Sequence, residues 1–343
     1  MDKKSSRLSD LLDGQFNHLI TNSQNINILM DHLANEWIIM AKKQPNPKPL
    51  FGSIWHEGEV AILFANTGKG KSILGVQVAD GISNGKSVIS LETVEHKVIY
   101  FDFELSTKAF QRRYTDENEN SYRFSDDFIR VEIDRNKSIE SEENSFEELL
   151  IKSIKYQVEK ADVKVLIIDN ITFLAASNEK SKEALELMKL ILELSRQRNL
   201  AILLIAHTPK RDIFRPIQLE DLAGSKALSN FADVVFCIGE SVKGSNIRYI
   251  KQLKNRNFPI DFHENNVIEC KVIKENSFLQ FQFVDFNTED EHLKKTAEES
   301  KDQIEEIMEL KNQEMSNVEI AKKLGVSESA IRRRIIKFQT RIQ

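Results

Sequence analysis

Cysteine, proline and glycine are scarce in this chain, and each scarcity removes a class of protein. Two cysteines in 343 residues, Cys237 and Cys270, cannot build a disulfide framework, and no CxxC pair offers a zinc site. Both sit in apolar stretches, which predicts buried thiols. Twelve glycines and six prolines exclude a collagenous or low-complexity chain, and no solenoid period runs through it. Long hydrophobic runs are missing too. The longest, such as 163–168, are strand-sized and broken by residues like Lys164, far below the roughly 20 residues of a membrane span. The N-terminus, Met1-Asp2-Lys3-Lys4-Ser5-Ser6, leads into polar sequence and not into an apolar leader. The expectation is a soluble cytoplasmic protein with no membrane contact.

Net positive charge is also lacking: 48 Lys and Arg against 53 Asp and Glu give −5, which excludes a body coated in basic surface. The placement is uneven, however. From residue 322 onward Lys322, Lys323, Arg332, Arg333, Arg334, Lys337 and Arg341 face Glu328 alone. Nucleic-acid contact is therefore expected at that end.

Residues 1–45 show helical spacing at Leu8, Leu11, Leu12, Ile28, Leu29, Leu33 and Trp37, and the prolines of 42–50 (KKQPNPKPL) mark a linker. Apolar strands are predicted at 60–64, 98–103, 163–168, 201–206 and 233–238, with helices at 71–82, 106–114 and 180–197. Strands apolar on both faces, alternating with helices, predict a covered parallel sheet. Segments 246–253, 266–273 and 277–284, joined by short turns, read as antiparallel strands. The charged stretch 287–302 marks a boundary. No counterpart is assigned to 123–144, an acidic insertion around Glu140, Glu142 and Glu143.

The strand at 60–64 runs into Ala65-Asn66-Thr67-Gly68-Lys69-Gly70-Lys71-Ser72, with a helix behind it. This is the P-loop pattern with Ala65 in the place of its first glycine. Successive loop N–H groups and the helix N-terminus cradle phosphate oxygens. Lys71 is placed to reach the β- and γ-phosphates of ATP, and the Ser72 hydroxyl to hold Mg²⁺. Asp169, ending the strand before it, is the expected second Mg²⁺-side group.

Phe101-Asp102-Phe103-Glu104-Leu105-Ser106 resembles the strand-end glutamate segment of RecA-like ATPases. That resemblance implies that Glu104 polarises the attacking water; Asp102 is the weaker candidate. Ile205-Ala206-His207-Thr208 looks like the same group's γ-phosphate sensor, which falls to His207. Gly224-Ser225-Lys226-Ala227-Leu228 with 232–235, then Leu253-Lys254-Asn255-Arg256-Asn257, resemble segments of the RepA/DnaB-type replicative helicases. In that group the Lys-x-Arg pair, here Lys254 and Arg256, enters a neighbour's nucleotide site, which implies a homo-oligomer, expected as a hexamer. The likeness spans about residues 48–285.

Helices are predicted at 303–310, 317–324 and 328–338, with Ser316 and Ser327 as N-caps. Ala321, Gly325 and Ile331, with Ile320, Leu324 and Val326, resemble a helix-turn-helix. Ser327, Ser329, Arg332, Arg333 and Arg334 then suit duplex DNA phosphates and base edges, with the core engaging single strands. The expected fold is α/β: a RecA-like core (46–288) with a mainly parallel sheet and antiparallel edge strands, preceded by a helical segment (1–45) and followed by a linker and small all-α domain (289–343). The expected function is that of a DNA-associated ATPase working in a ring, a replicative helicase or loader of a plasmid or mobile element. The alternative is an ATP-switched DNA-binding regulator or partition protein. Partition ATPases carry an extra lysine where this chain has Asn66, which counts against them.

Overall fold

The computed structural model describes residues 30–134, 146–170, 180–208, 215–222, 225–293, 297–324, 326 and 328–342. Residues 1–46 and 47–343 form two compact units. In the first, α1 (Ala34–Ala41) has no buried residue, and Trp37 meets His32 edge-on at 4.9 Å. The apolar positions of residues 8–29 lie outside the described residues, as do Glu140, Glu142, Glu143, Gly224, Gly325 and Ser327.

The second unit opens with a two-stranded antiparallel sheet, β1 (Pro49–Phe51) and β2 (Trp55–His56). Leu50, predicted in a linker, is fully buried there. The elements then run β3 (Val60–Ala65), α2 (Lys71–Asn84), β4 (Val98–Asp102), α3 (Thr107–Arg113), β5 (Phe128–Val131), α4 (Phe146–Ala161), β6 (Val165–Asp169) and α5 (Lys180–Arg198). Next come β7 (Ala201–His207), α6 (Ser225–Phe231), β8 (Val234–Glu240), β9 (Ile247–Asn255), β10 (Val267–Glu275) and β11 (Phe278–Asn287). After the 3₁₀ turn Glu289–His292 come α7 (Ala297–Asn312), α8 (Asn317–Leu324) and α9 (Glu328–Ile342).

Nine strands form one sheet in the order β11-β10-β9-β8-β3-β7-β6-β4-β5. From β8 to β5 every pairing is parallel, and β9, β10 and β11 extend it antiparallel. The expected α/β core, a mainly parallel sheet with antiparallel edge strands, is thus present. Side-chain alternation builds it. Ala61, Leu63, Val165, Ile167, Leu203 and Ile205 pack on one face with α2. Val60, Ile62, Leu166, Ile168, Ile202 and Leu204 pack on the other with α4 and α5. Each fully buried Leu or Ile contributes about 1.5–3 kcal/mol relative to exposure. Both cysteines are buried thiols, as expected.

Helix α2 is enclosed nearly all round, with 11 of its 14 residues buried. Gly75 lets it approach the sheet closely, because a Cβ there would meet Ile205 at 2.7 Å. Polar groups inside this enclosure are paired, as burial demands. Gln77 exchanges two hydrogen bonds with the Phe281 backbone, donating to its carbonyl (2.9 Å) and accepting from its N–H (2.8 Å). Tyr122 donates to Asp80 at 2.9 Å.

Two expectations need correction. Segment 123–144 is not wholly an unplaced insertion: β5 lies within it and pairs in parallel with β4, adding a strand at the sheet edge. Its short, half-buried Phe-Ile-Arg-Val run carries too little apolar signal to be read as a strand from sequence alone. The charged stretch 287–302 is not simply a boundary either. Glu289 and His292 are buried, and Glu289 holds Lys251 (2.5 Å), Tyr249 Oη (2.9 Å) and the Ile217 N–H (2.7 Å).

Candidate nucleotide site

Because six strands are parallel, all six end at one edge of the sheet, and five of them lead there to polar groups near the P-loop. β3 leads to Asn66, β4 to Asp102 and Glu104, β6 to Asp169, β7 to His207 and β8 to Glu240. Ligands of open α/β sheets bind at this carboxyl edge.

The P-loop joins β3 to α2. Gly70 caps α2 at φ +100°, and a Cβ there would strike the Phe281 ring at 2.8 Å, so only glycine fits. No side chain caps this helix. Its first N–H groups, left without intrahelical partners, can therefore turn to an anion. Ala65 lies inside β3, opposite His207, where no left-handed backbone is required; its departure from the usual glycine costs the loop nothing. Lys71 is buried, and its ammonium donates to the Ala65 (2.9 Å) and Asn66 (3.1 Å) carbonyls. Burial lowers its pKa, while Asp169 and Glu104 oppose that shift. Its acceptors are neutral carbonyls, which phosphate oxygens can replace at little electrostatic cost.

Asp169 is fully buried. Tyr100 donates to its Oδ2 at 2.7 Å, and its Oδ1 has no hydrogen-bond partner. Burial raises its pKa, with Ser72 and Tyr100 pulling the other way. A fully buried carboxylate beside the P-loop serine, with one oxygen left out of the hydrogen bonding, fits a hard divalent cation. Ser72 and Asp169 would hold Mg²⁺, which supplies charge neutralisation on the transferred phosphoryl group.

Glu104 stands two residues beyond β4. Asn170 donates to its Oε2 at 2.9 Å, and His207 Nε2 lies 3.7 Å from the same oxygen. The neighbouring His207 ring, opposed by burial and helped by Asn170 and Lys71, draws the Glu104 pKa down to about 2. It is therefore ionised at neutral pH, as a group that polarises water must be. Asn170 also bonds His207 Nε2 at 2.7 Å, so one amide joins the two residues predicted as base and sensor. Asp102 is buried and occupied: Arg130 grips its Oδ2 through two nitrogens (2.9 and 2.8 Å), while its Oδ1 accepts the Glu104 and Leu105 N–H groups (3.2 and 2.8 Å). Asp102 thus shapes the turn that carries Glu104.

The structure does not bring Lys254 and Arg256 to this edge. Register places Asn255 opposite Val234, at the start of β8. At a strand rise of about 3.3 Å per residue, that is roughly 15–20 Å from the P-loop of the same chain. Lys254 donates to the Ser229 and Ala232 carbonyls (2.6 and 2.7 Å). Arg256 reaches Asp233 (3.2 Å) and the Asn230 carbonyl (3.0 Å) and stays 46% exposed.

In the C-terminal helices, Ile307, Leu310, Ile320, Ala321 and Ile331 form a small core of their own, with Leu324 and Val326 against it. Ser316 caps α8 in a reciprocal pair with Glu319. Ser329 and Arg332 are exposed. Two of the three arginines also meet the core: Arg333 lies 3.3 Å from Glu291, and Arg334 lies 3.8 Å from Asp290, both on the acidic 3₁₀ turn after β11.

Sequence reasoning missed Tyr100, Asn170 and Arg130. Only Asn170 left a trace, as a second polar residue at the end of an apolar strand.

A mononucleotide cradle, a buried cation-side aspartate and a strand-end glutamate on a parallel sheet define a P-loop ATPase that uses ATP with Mg²⁺. Residues 29–212 match the AAA domain family, more than half of the chain, and the protein belongs to that family. A KaiC-like protein from the hyperthermophilic archaeon Pyrococcus horikoshii is a similar solved structure, at 14% identity and a TM-score of 0.46, covering 67% of this chain and 91% of that one. No curated protein sequence matches significantly. No described helix is long and apolar enough to cross a membrane.

Proposed function

We propose that this ATPase is DNA-associated and works as a homo-oligomeric ring, as a RepA-like replicative helicase or helicase loader. In this reading residues 46–288 are the catalytic domain, 289–343 a linker with a helix-turn-helix for duplex DNA, and the core engages single strands. The observation that carries it is the position of Lys254 and Arg256. A Lys-x-Arg pair roughly 15–20 Å from its own P-loop cannot serve its own nucleotide; facing a neighbour's γ-phosphate, it has a catalytic use. Each protomer then contributes Lys71, Ser72, Glu104, Asp169 and His207 to one site and the basic pair to the next. Glu104 orients the water, and His207, tied to it through Asn170, relays the occupancy of the γ-phosphate position.

ATPase rate measured without DNA, with single strands and with duplex tests this reading, together with the mass of the active species in ATP. Stimulation by single strands in an oligomer is expected; a monomer indifferent to DNA overturns it. A second reading, an ATP-switched DNA-binding regulator, is favoured by the Arg333 and Arg334 contacts with the acidic turn, which couple the DNA-reading helix to the core. Stimulation by duplex alone, with ATP-dependent duplex affinity, selects it.

A further inference from the structure

The first half of the P-loop is tethered from both flanking strands by groups that play no part in the chemistry above. Thr208, just past β7, donates its hydroxyl to Asn66 Oδ1 at 2.7 Å. The Asn66 amide nitrogen donates to Glu240 Oε1 at 2.9 Å, at the end of β8. The other Glu240 oxygen binds the Lys69 ammonium at 2.7 Å. Arg248, opposite Glu240 on β9, directs its Nε at the Lys69 carbonyl at 3.4 Å.

We infer that Glu240 is a positioning residue for nucleotide binding, fixing the entrance of the P-loop through Asn66 and its crest through Lys69. Three observations carry this. Glu240 and Thr208 hold the two ends of one side-chain amide, so Asn66 is bridged between the two strands that flank β3. A partly open pocket with room for about one water adjoins Asn66, its polar side formed by Thr208 and Glu240 and its apolar side by Phe64, Ile217 and Ile238. Finally, burial alone raises the Glu240 pKa, yet the Lys69 and Asn66 contacts hold it below the ordinary carboxylate value. The charged form is what the site stabilises, although a bare carboxylate beside a polyphosphate site repels the ligand. Lys69 cancels that charge, leaving the geometry. This role rests on the ATPase class alone, independently of DNA or of a ring.

The test is Mg·ADP affinity by titration calorimetry, with steady-state kinetics, on Glu240→Ala, Glu240→Gln, Asn66→Ala and their double variant. Glu240→Ala is expected to raise the ADP Kd and the ATP KM about tenfold and to change kcat less than about threefold. Glu240→Gln, which keeps an acceptor for Asn66, is expected to lose less. Thr208→Val should weaken binding in the same direction. Glu240→Ala and Asn66→Ala should be non-additive by at least about threefold, because each breaks the same bridge. Additive losses in folded variants, a fall in kcat at constant KM, or tighter binding in Glu240→Gln (the mark of simple charge repulsion) would each overturn the assignment.

Discussion

The two ends of the parallel sheet both carry basic side chains held by their own chain, and they hold them differently. At the carboxyl edge Lys71 is buried on neutral carbonyls, beside an Asp169 oxygen that has no donor. At the opposite edge Arg256 is half exposed and paired with Asp233, which also accepts the Val60 N–H. The first arrangement is incomplete without a ligand. The second is complete as it stands, and an incoming phosphate must outcompete a carboxylate. The carbonyls that hold Lys71 can give way to an anion within its own chain, whereas Arg256 must first be released from the Asp233 carboxylate.

The largest expected effects lie at the carboxyl edge. Lys71→Ala should abolish nucleotide binding, and chelating Mg²⁺ should abolish hydrolysis. Glu104→Gln should bind ATP normally and turn it over about 10²-fold or more slowly; normal turnover in that variant would remove Glu104 from its role. Next comes the opposite edge. Arg256→Ala should cost at least about tenfold in kcat with little change in Tm, since an exposed pair such as Arg256–Asp233 contributes only about 0–1 kcal/mol. Mixing Arg256→Ala chains with Lys71→Ala chains should restore part of the activity. If every mixture stays inactive, the contrast between the two edges is one of stability and not of catalysis.

Smaller effects are expected from the C-terminal helices. Deleting 303–343 should abolish duplex binding and spare basal hydrolysis. Replacing Arg332, Arg333 and Arg334 by Ala should flatten the salt dependence by about 0.9 in log–log slope per lost phosphate contact. Asp290→Asn with Glu291→Gln should raise duplex affinity a few-fold by releasing Arg333 and Arg334. The smallest effect is a matter of pH. The folded Glu104 pKa of about 2 lies below the ordinary 4.5, so its ionised form persists down to strongly acid conditions. His207→Gln removes the largest cause and should move the acid limb of kcat/KM upward, while Asn170 and Lys71 still hold it below the ordinary carboxylate value. An unmoved limb would separate His207 from Glu104.

How much of this was legible in sequence follows from the kind of signal each part carries. Val60–Ala65, Val165–Asp169 and Ala201–His207 are buried on both faces, so composition alone marked them. The P-loop announced itself because Gly70 answers to a backbone angle and a contact that no other residue meets. Beta strand β5 and residue Arg130 stayed hidden, since a four-residue, half-buried edge strand has neither length nor period. Asp102 was weighed as a rival to Glu104, but only the fold reveals the arginine that occupies it. The contacts of Arg333 and Arg334 were equally invisible, because a charge run reads the same whether it faces solvent or an acidic turn.

The grip of β11 on α2 sets how this protein can be divided. Phe281 fills the space over Gly70 with its ring and satisfies Gln77 with its backbone, though it lies 211 positions after Gly70 in the chain. A fragment ending after β8, however complete its parallel strands, would leave that glutamine unanswered and the cradle without its lid of carbon. The hairpin is hence no ornament on a minimal nucleotide-binding module. In a genetic selection, a smaller residue at 281 should fail to rescue a bulkier one at 70, because the φ of +100° there still demands glycine once the ring is gone.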